Sequence, residues 1–212
     1  MERTIRVNGK GSLKVAPDML RVSIHQSEVR KTYDEAYSAS SVSKAEINKA
    51  FEELGIDSKL LKTSYLNINE ERVSYKKNDQ YLTKKVGYRY NHEMFILLDL
   101  DHEMLAKVFD RLSKLECTPE INLSSTLKDP ESSKNELIGN AVKDSKIKAE
   151  VLCEALGVKL GEVKEINYSW GRLEIYEDCA VEAKMMCTGK GMDMSFDDIN
   201  LEDTVTVVWT IE

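Results

Sequence analysis

Residues 5–24 read IRVNGKGSLKVAPDMLRVSI, and the two glycines in that stretch decide how the chain is to be read. A phosphate-cradling loop needs its glycines to open directly onto a helix N-terminus, where free amides and the helix dipole meet the anion. Here Ser12-Leu13-Lys14-Val15 continues as strand and stops at Pro17-Asp18, which is turn chemistry. The pattern G-x-x-x-x-G-K-[ST] is absent, and Gly9-Lys10-Gly11 lacks the third glycine of a dinucleotide fingerprint. The expected role of Gly9 and Gly11 is therefore a backbone bend or bulge within a β-ribbon, with room for another backbone to come close. Leu20, Val22 and Ile24 alternate with polar residues beyond the turn, so the two runs read as a hairpin.

Outward from this start the pattern switches from period two to period three and four. Thr32 and Glu35 have the spacing of a capping box, and Ala36, Ser40, Ile47, Ala50, Phe51 and Leu54 fall on one helical face. Residues 60–98 then form two long extended runs joined near Asn78-Asp79-Gln80. Eighteen residues of strand reach about 59 Å at roughly 3.3 Å each, more than a compact domain of this size is wide. The distal part, from Glu70 to Lys85, reads as polar on both faces, so the hairpin is expected to project from its core. Asp101 is placed to cap a short helix, and residues 117–127 alternate as strand. Asp129-Pro130 opens a second long helix that ends at Gly157. Strands follow at about 162–170 and 204–211, with an irregular insertion at about 171–201. The expected architecture is one α+β domain over residues 1–212, an antiparallel-rich sheet with two long helices packed on one face and a projecting hairpin.

The net charge of −7 argues against a general nucleic-acid surface, which needs an excess of Lys and Arg. The longest strongly apolar run, Met94 to Leu98, is far short of the roughly 20 residues of a membrane-spanning helix. The N-terminal MERTIRVNGK has no apolar core, so a cytoplasmic location is expected, or export if a leader has been removed. Cys117, Cys153, Cys179 and Cys187 form no tight pair, which favours free thiols over a disulfide framework. Asp99, Asp101 and Glu103 straddle a helix start and are explained by capping rather than by a metal. No G-x-S-x-G is present, and His25, His92 and His102 are dispersed, so no catalytic constellation emerges and no cofactor is expected. The sulfur-rich stretch CAVEAKMMCTGKGMDM, residues 179–194, offers Cys179, Met185, Met186, Cys187, Met192 and Met194 to a soft metal such as copper. Gap-filling methionines on a flexible turn account for it better, and no metal is favoured.

Five stretches resemble the SIMPL-domain family in their order along the chain: IRVNGKGSLKVAPDMLRVSI, FEELGID, VGYRYNHEMFILLDLD, AVKDSKIKAEVLCEALGVKLGEVKEI and DTVTVVWTIE. The resemblance implies an α+β fold and, for some members, assembly into large rings through extended strands. It also implies that many relatives are exported and linked to stress responses, while one animal branch is an intracellular signalling adaptor. It supplies no catalytic residues.

Together these readings predict a non-enzymatic, self-associating or partner-binding protein whose hairpin makes the contact. Tyr75, Tyr81, Tyr88 and Tyr90 are its candidate interface residues, since tyrosine offers large contact area with a polar end. Two alternatives accompany this reading: an enzyme or small-molecule binder with its pocket beneath residues 171–201, and a soft-metal protein using residues 179–194.

Overall fold

The computed structural model describes residues 3–77, 79–169 and 196–212. Among the described residues, seven strands and three α-helices run in the order β1 (Thr4–Val15), β2 (Met19–Arg30), α1 (Tyr33–Glu53), β3 (Lys62–Lys77), β4 (Gln80–Asp99), α2 (His102–Ser113), β5 (Glu120–Thr126), α3 (Pro130–Leu156), β6 (Leu160–Asn167) and β7 (Ile199–Ile211). The fold is α+β, as expected. It contains two sheets rather than one, in two compact units. The first unit draws on residues 3–18, 126–169 and 196–212, the second on residues 19–125.

In the first unit the strand order is β1-β7-β6, with antiparallel neighbours. β1 and β2 therefore do not make the expected hairpin. The partner of β1 is the distant C-terminal strand, matched residue for residue from Thr4↔Thr210 to Val15↔Ile199. That register passes through Gly9↔Val205 and Gly11↔Asp203 without a shift, so no bulge stands at these glycines. The glycines serve α3 instead. A β-carbon on Gly9 would fall against the carbonyl oxygen of Ala141, and one on Gly11 against that of Leu137. Residues 9 and 11 share one face of the strand, and 137 and 141 share one face of the helix, so backbone meets backbone over a full helical turn.

The stripe that α3 buries is Leu137, Ala141, Ser145, Ala149 and Cys153, mostly small residues that permit this approach. Val7, Val205, Val207 and Trp209 pack against Ala141 and Ala149, and Leu137 packs with Leu127, Ile199 and Leu201. Each fully buried aliphatic side chain of this kind is worth roughly 1.5–3 kcal/mol. β7 begins at Ile199, so the strand extends into what the sequence read as insertion. Asp129 caps α3 by accepting from the Ser132 amide at 3.1 Å, with Pro130 in the first turn.

The second unit has the element order β2-α1-β3-β4-α2-β5 and the sheet order β3-β4-β2-β5. This is the split β-α-β arrangement of ferredoxin-like folds. β4 runs antiparallel to both β2 and β3, so those two point the same way, and α1 makes the crossover between them. Leu20, Val22 and Ile24 on β2, all buried, face half-buried Leu98 and buried Ile96 and Met94 across the register; Ile47 and Phe51 on α1 and Leu105, Val108 and Leu112 on α2 are also buried. The expected pair of long helices on one sheet is thus divided, because α1 belongs to this unit and α3 to the other. The capping box predicted at Thr32 and Glu35 is formed: the Thr32 hydroxyl accepts from the Glu35 amide at 3.2 Å, and the Glu35 carboxylate accepts from the Thr32 amide at 3.3 Å.

Alanine at positions 9 and 11 is expected to lower stability by about 3 kcal/mol or more, the upper range for forcing atoms into a packed interior. Urea unfolding of the Gly9→Ala, Gly11→Ala double variant measures this. An unchanged midpoint would mean that α3 does not ride on these glycines.

Candidate functional site

The β3–β4 pair is longer than its support. β2 ends at Arg30, opposite Tyr88, and among the described residues the strands beyond that point, from Glu71 on β3 and up to Gly87 on β4, pair only with each other. The resulting arm extends about 24 Å, taking seven residues of β3 at roughly 3.4 Å each. Its register sets Val73 opposite Lys84, Tyr75 opposite Leu82 and Lys76 opposite Tyr81. Since side chains alternate between faces and cross-strand partners share one, Val73, Tyr75 and Leu82 lie on one face with Glu71 and Lys84, while Arg72, Ser74, Lys76, Tyr81, Thr83 and Lys85 share the other; Val86 is the extra residue of β4 at the register shift. The arm therefore gathers aliphatic and aromatic side chains on one face, interrupted by Lys84, where the sequence reading had both faces polar. Val73, Tyr75, Leu82 and Val86 are all exposed. A register shift between Glu71 and Arg72 separates the arm from its root.

The four candidate tyrosines separate in this geometry. Tyr81 is 80% exposed and Tyr75 43%, both on the arm. Tyr88 sits at its root, with its ring edge-on to Tyr33 of α1 at 6.0 Å between centroids, and the Lys85 ammonium 4.1 Å from its ring centre. Tyr90 is 1% exposed and belongs to the core, so it is no interface residue. Its hydroxyl bonds to the Ser43 hydroxyl at 3.2 Å, and burial pushes its pKa up. Around the root, Lys85 and Arg72 hold Glu70 at 2.8 and 2.6 Å, and Arg89 holds Glu71 at 3.0 Å. These hydrogen-bonded cations depress both carboxylates. The pairs are solvent-exposed and steer geometry more than they stabilise.

Away from the arm, the chemistry available is limited by burial and by partners already in place. The amide of Lys10, between the two glycines, donates to Asp144 at 2.7 Å, so it serves a carboxylate of the same chain. Lys148, bonded to Asp144 at 2.7 Å, is the larger cause of that carboxyl's lowered pKa, and the Lys10 amide adds to it. Asp101 caps α2, accepting from the amides of Glu103 and Met104 at 2.9 and 3.1 Å. A cavity of about 500 Å³ in the second unit is lined by Gln26, Ser43, Glu46, Tyr90 and Cys117, among others. Burial, then the hydrogen bond to Glu46, pushes the Cys117 thiol up to about 12, so it is not a thiolate nucleophile at neutral pH. Among the described residues no three His, Cys, Asp or Glu side chains converge on a metal-sized site. No described helix is long and apolar enough to cross a membrane. Cys179, Met185, Met186, Cys187, Met192 and Met194 lie outside the described residues, as does the segment proposed to cover a pocket.

One histidine set aside in the sequence as dispersed has a defined place in the structure. His92, 4% exposed, lies between α1 and the sheet, with Ser40 Oγ 2.9 Å from Nδ1 and Thr63 Oγ1 3.0 Å from Nε2. The legible signal was Ser40 and Ser43 on the buried face of α1, where an ordinary amphipathic helix carries aliphatic residues.

Comparison with known proteins adds the following. The family model for SIMPL, described as "Protein of unknown function (DUF541)", matches residues 5–209. The 26 kDa periplasmic immunogenic proteins of Brucella melitensis and Brucella abortus are 27% and 26% identical to this chain over 164 residues. That alignment takes in 77% of this chain and 65% of either relative, so the chain spans less than two thirds of their length. The crystal structure of the divalent ion tolerance protein CutA1 from Ehrlichia chaffeensis overlaps 59% of this chain and 96% of its own, with a TM-score of 0.21 and 9% identity. A likeness that slight carries no argument. The names of the Brucella relatives overturn the expectation of a cytoplasmic protein, since both are called periplasmic.

The two kinds of tyrosine are expected to differ in energetic weight. Tyr90→Ala should cost about 3–5 kcal/mol, as for other buried aromatics, and Tyr81→Ala less than about 0.5 kcal/mol. Chemical denaturation of both variants checks this, and equal losses would contradict the division.

Proposed function

The chain belongs to the SIMPL family, and from that premise we propose that it is a non-enzymatic binding protein that self-associates through the apolar face of its β3–β4 arm. The observation that carries this reading is the placement of Val73, Tyr75 and Leu82, with Lys84 among them, on one exposed face of a two-stranded ribbon. A ribbon of two strands is marginal in water by itself, and exposed apolar side chains gathered on one of its faces mark a contact surface. Tyr75 supplies aromatic area within that face, while Tyr88, opposite Glu70, lies on the other face and meets Tyr33 of α1. Tyr81 and the lysines of the opposite face form its wet rim. The outer edge of β3, the last strand of its sheet, adds a row of backbone donors and acceptors for strand addition. The names of the Brucella relatives support a periplasmic setting for the same role.

Light scattering on the 24.1 kDa chain tests the reading. The intact protein is expected at a multiple of that mass. A Val73→Thr, Tyr75→Thr, Leu82→Thr, Val86→Thr variant should fall to the monomer with its thermal unfolding little changed, because none of the four is a core residue. An intact protein that stays monomeric at high concentration ends the proposal.

A further inference from the structure

We propose that His92 is an acid-operated latch that fastens α1 to the β3–β4 pair, holding at neutral pH and releasing as the imidazole takes up a second ring proton. The inference is independent of whether the arm self-associates.

The latch is built by a local irregularity. β3 and β4 lose register between Thr63 and Tyr65, so one extra residue, Ser64, stands in β3. Thr63 lies opposite Met94 and Leu66 opposite His92, on the side of the sheet that α1 covers. Without the extra residue, the alternation that puts Leu66 on that side would turn Thr63 to the opposite one. The bulge thus aims the Thr63 hydroxyl at the imidazole. From above, α1 presents Ser40 to Nδ1, and one turn on it presents Lys44, whose ammonium donates to Thr63 Oγ1 at 3.2 Å.

These partners suit a neutral ring. An ammonium only donates, so Lys44 occupies one lone pair of Thr63 Oγ1 and leaves the threonine proton free to point at His92 Nε2. In that arrangement Nε2 accepts and Nδ1 donates to Ser40, and both nitrogens of a neutral imidazole are satisfied. A second ring proton on Nε2 has to share Thr63 Oγ1 with the Lys44 ammonium, setting two positive groups on one buried hydroxyl.

Nothing else around the ring compensates. Gln26 of β2 lies opposite it in the register, Leu66 of β3 flanks it, and Tyr90 and Met94 precede and follow it on the same face of β4. Lys44 is the charged group facing it from α1, and Tyr90 is held neutral by burial. Burial and then Lys44 lower the imidazole's pKa from its ordinary 6.5. The unfolded chain therefore takes the proton first as pH falls. The latch contributes fully above about 6.5 and is lost progressively below it, until the folded-state pKa is reached. α1 is sensitive to this because the N-terminal half of its buried face is Ala36, Ser40 and Ser43, with little apolar area. Its hold there is a hydrogen-bonded seam, Ser40 to His92 and Ser43 to Tyr90.

The test follows the His92 ring by NMR between pH 8 and 4.5 on the full chain, with amide exchange of α1 and α3 recorded alongside. The expected result is titration below 6.5, with α1 amides losing protection as pH falls while those of α3 keep theirs. The unfolding constant should rise by up to about tenfold per pH unit in that window, the limit for one proton. His92→Gln should remove this step, and Lys44→Met should move the His92 titration upward. If the glutamine variant does not fold, the wild-type ring titration and α1 exchange decide alone. Titration at or above 6.5, or α1 and α3 opening together at every pH, overturns the proposal.

Discussion

The carbonyl oxygens of Leu137 and Ala141 come down onto β1 where β-carbons would stand at positions 9 and 11, and the first unit is organised around that close approach. A helix at that distance cannot be held by large side chains. Its buried stripe is accordingly Ala141, Ser145 and Ala149, with the aliphatic weight placed at Leu137 and on the strands beneath. The same approach brings Asp144 to the amide of Lys10, so the carboxylate satisfies a backbone donor between the two glycines. A stretch that superficially looks like an anion loop is thus a docking rail for a helix, and its free amide has an intramolecular carboxylate partner.

The second unit solves its packing by different means. Under the C-terminal half of α1 the contact is aliphatic and aromatic, through Ile47, Ala50 and Phe51. Under the N-terminal half it is a line of hydroxyls meeting His92 and Tyr90. Buried polar groups of this kind are tolerable only when all are bonded, and here each has a partner. The consequence is that helix attachment and charge state are coupled at one residue. The arm lies beyond this supported region, where the sheet has narrowed to two strands.

Much of the local structure was legible in the sequence. The capping box at Thr32, the caps at Asp101 and Asp129 and the period of α1 and α3 are short-range features, set by interactions within a turn or two. The length of the β3–β4 pair was equally plain from its extended runs. The family resemblance was visible in five ordered stretches, and the match over residues 5–209 bears it out. The change of phase between the arm and its root was not legible, because the register shift at Glu71 and Arg72 is set by pairing between two strands. Nor was the burial of Tyr90, which has the same sequence neighbourhood as the exposed tyrosines and differs only in having α1 above it.

By itself the sequence determined which segments are helix and strand, where the helices begin, and that the chain is α+β, because these follow from spacing, caps and propensity within a few residues. Tertiary structure alone decided that β1 takes the C-terminal strand as partner instead of β2, that Gly9 and Gly11 receive a helix, and that His92 sits between two hydroxyls. Each of these depends on a contact between residues far apart in the chain, and a periodic pattern states only which face is buried, never what will cover it.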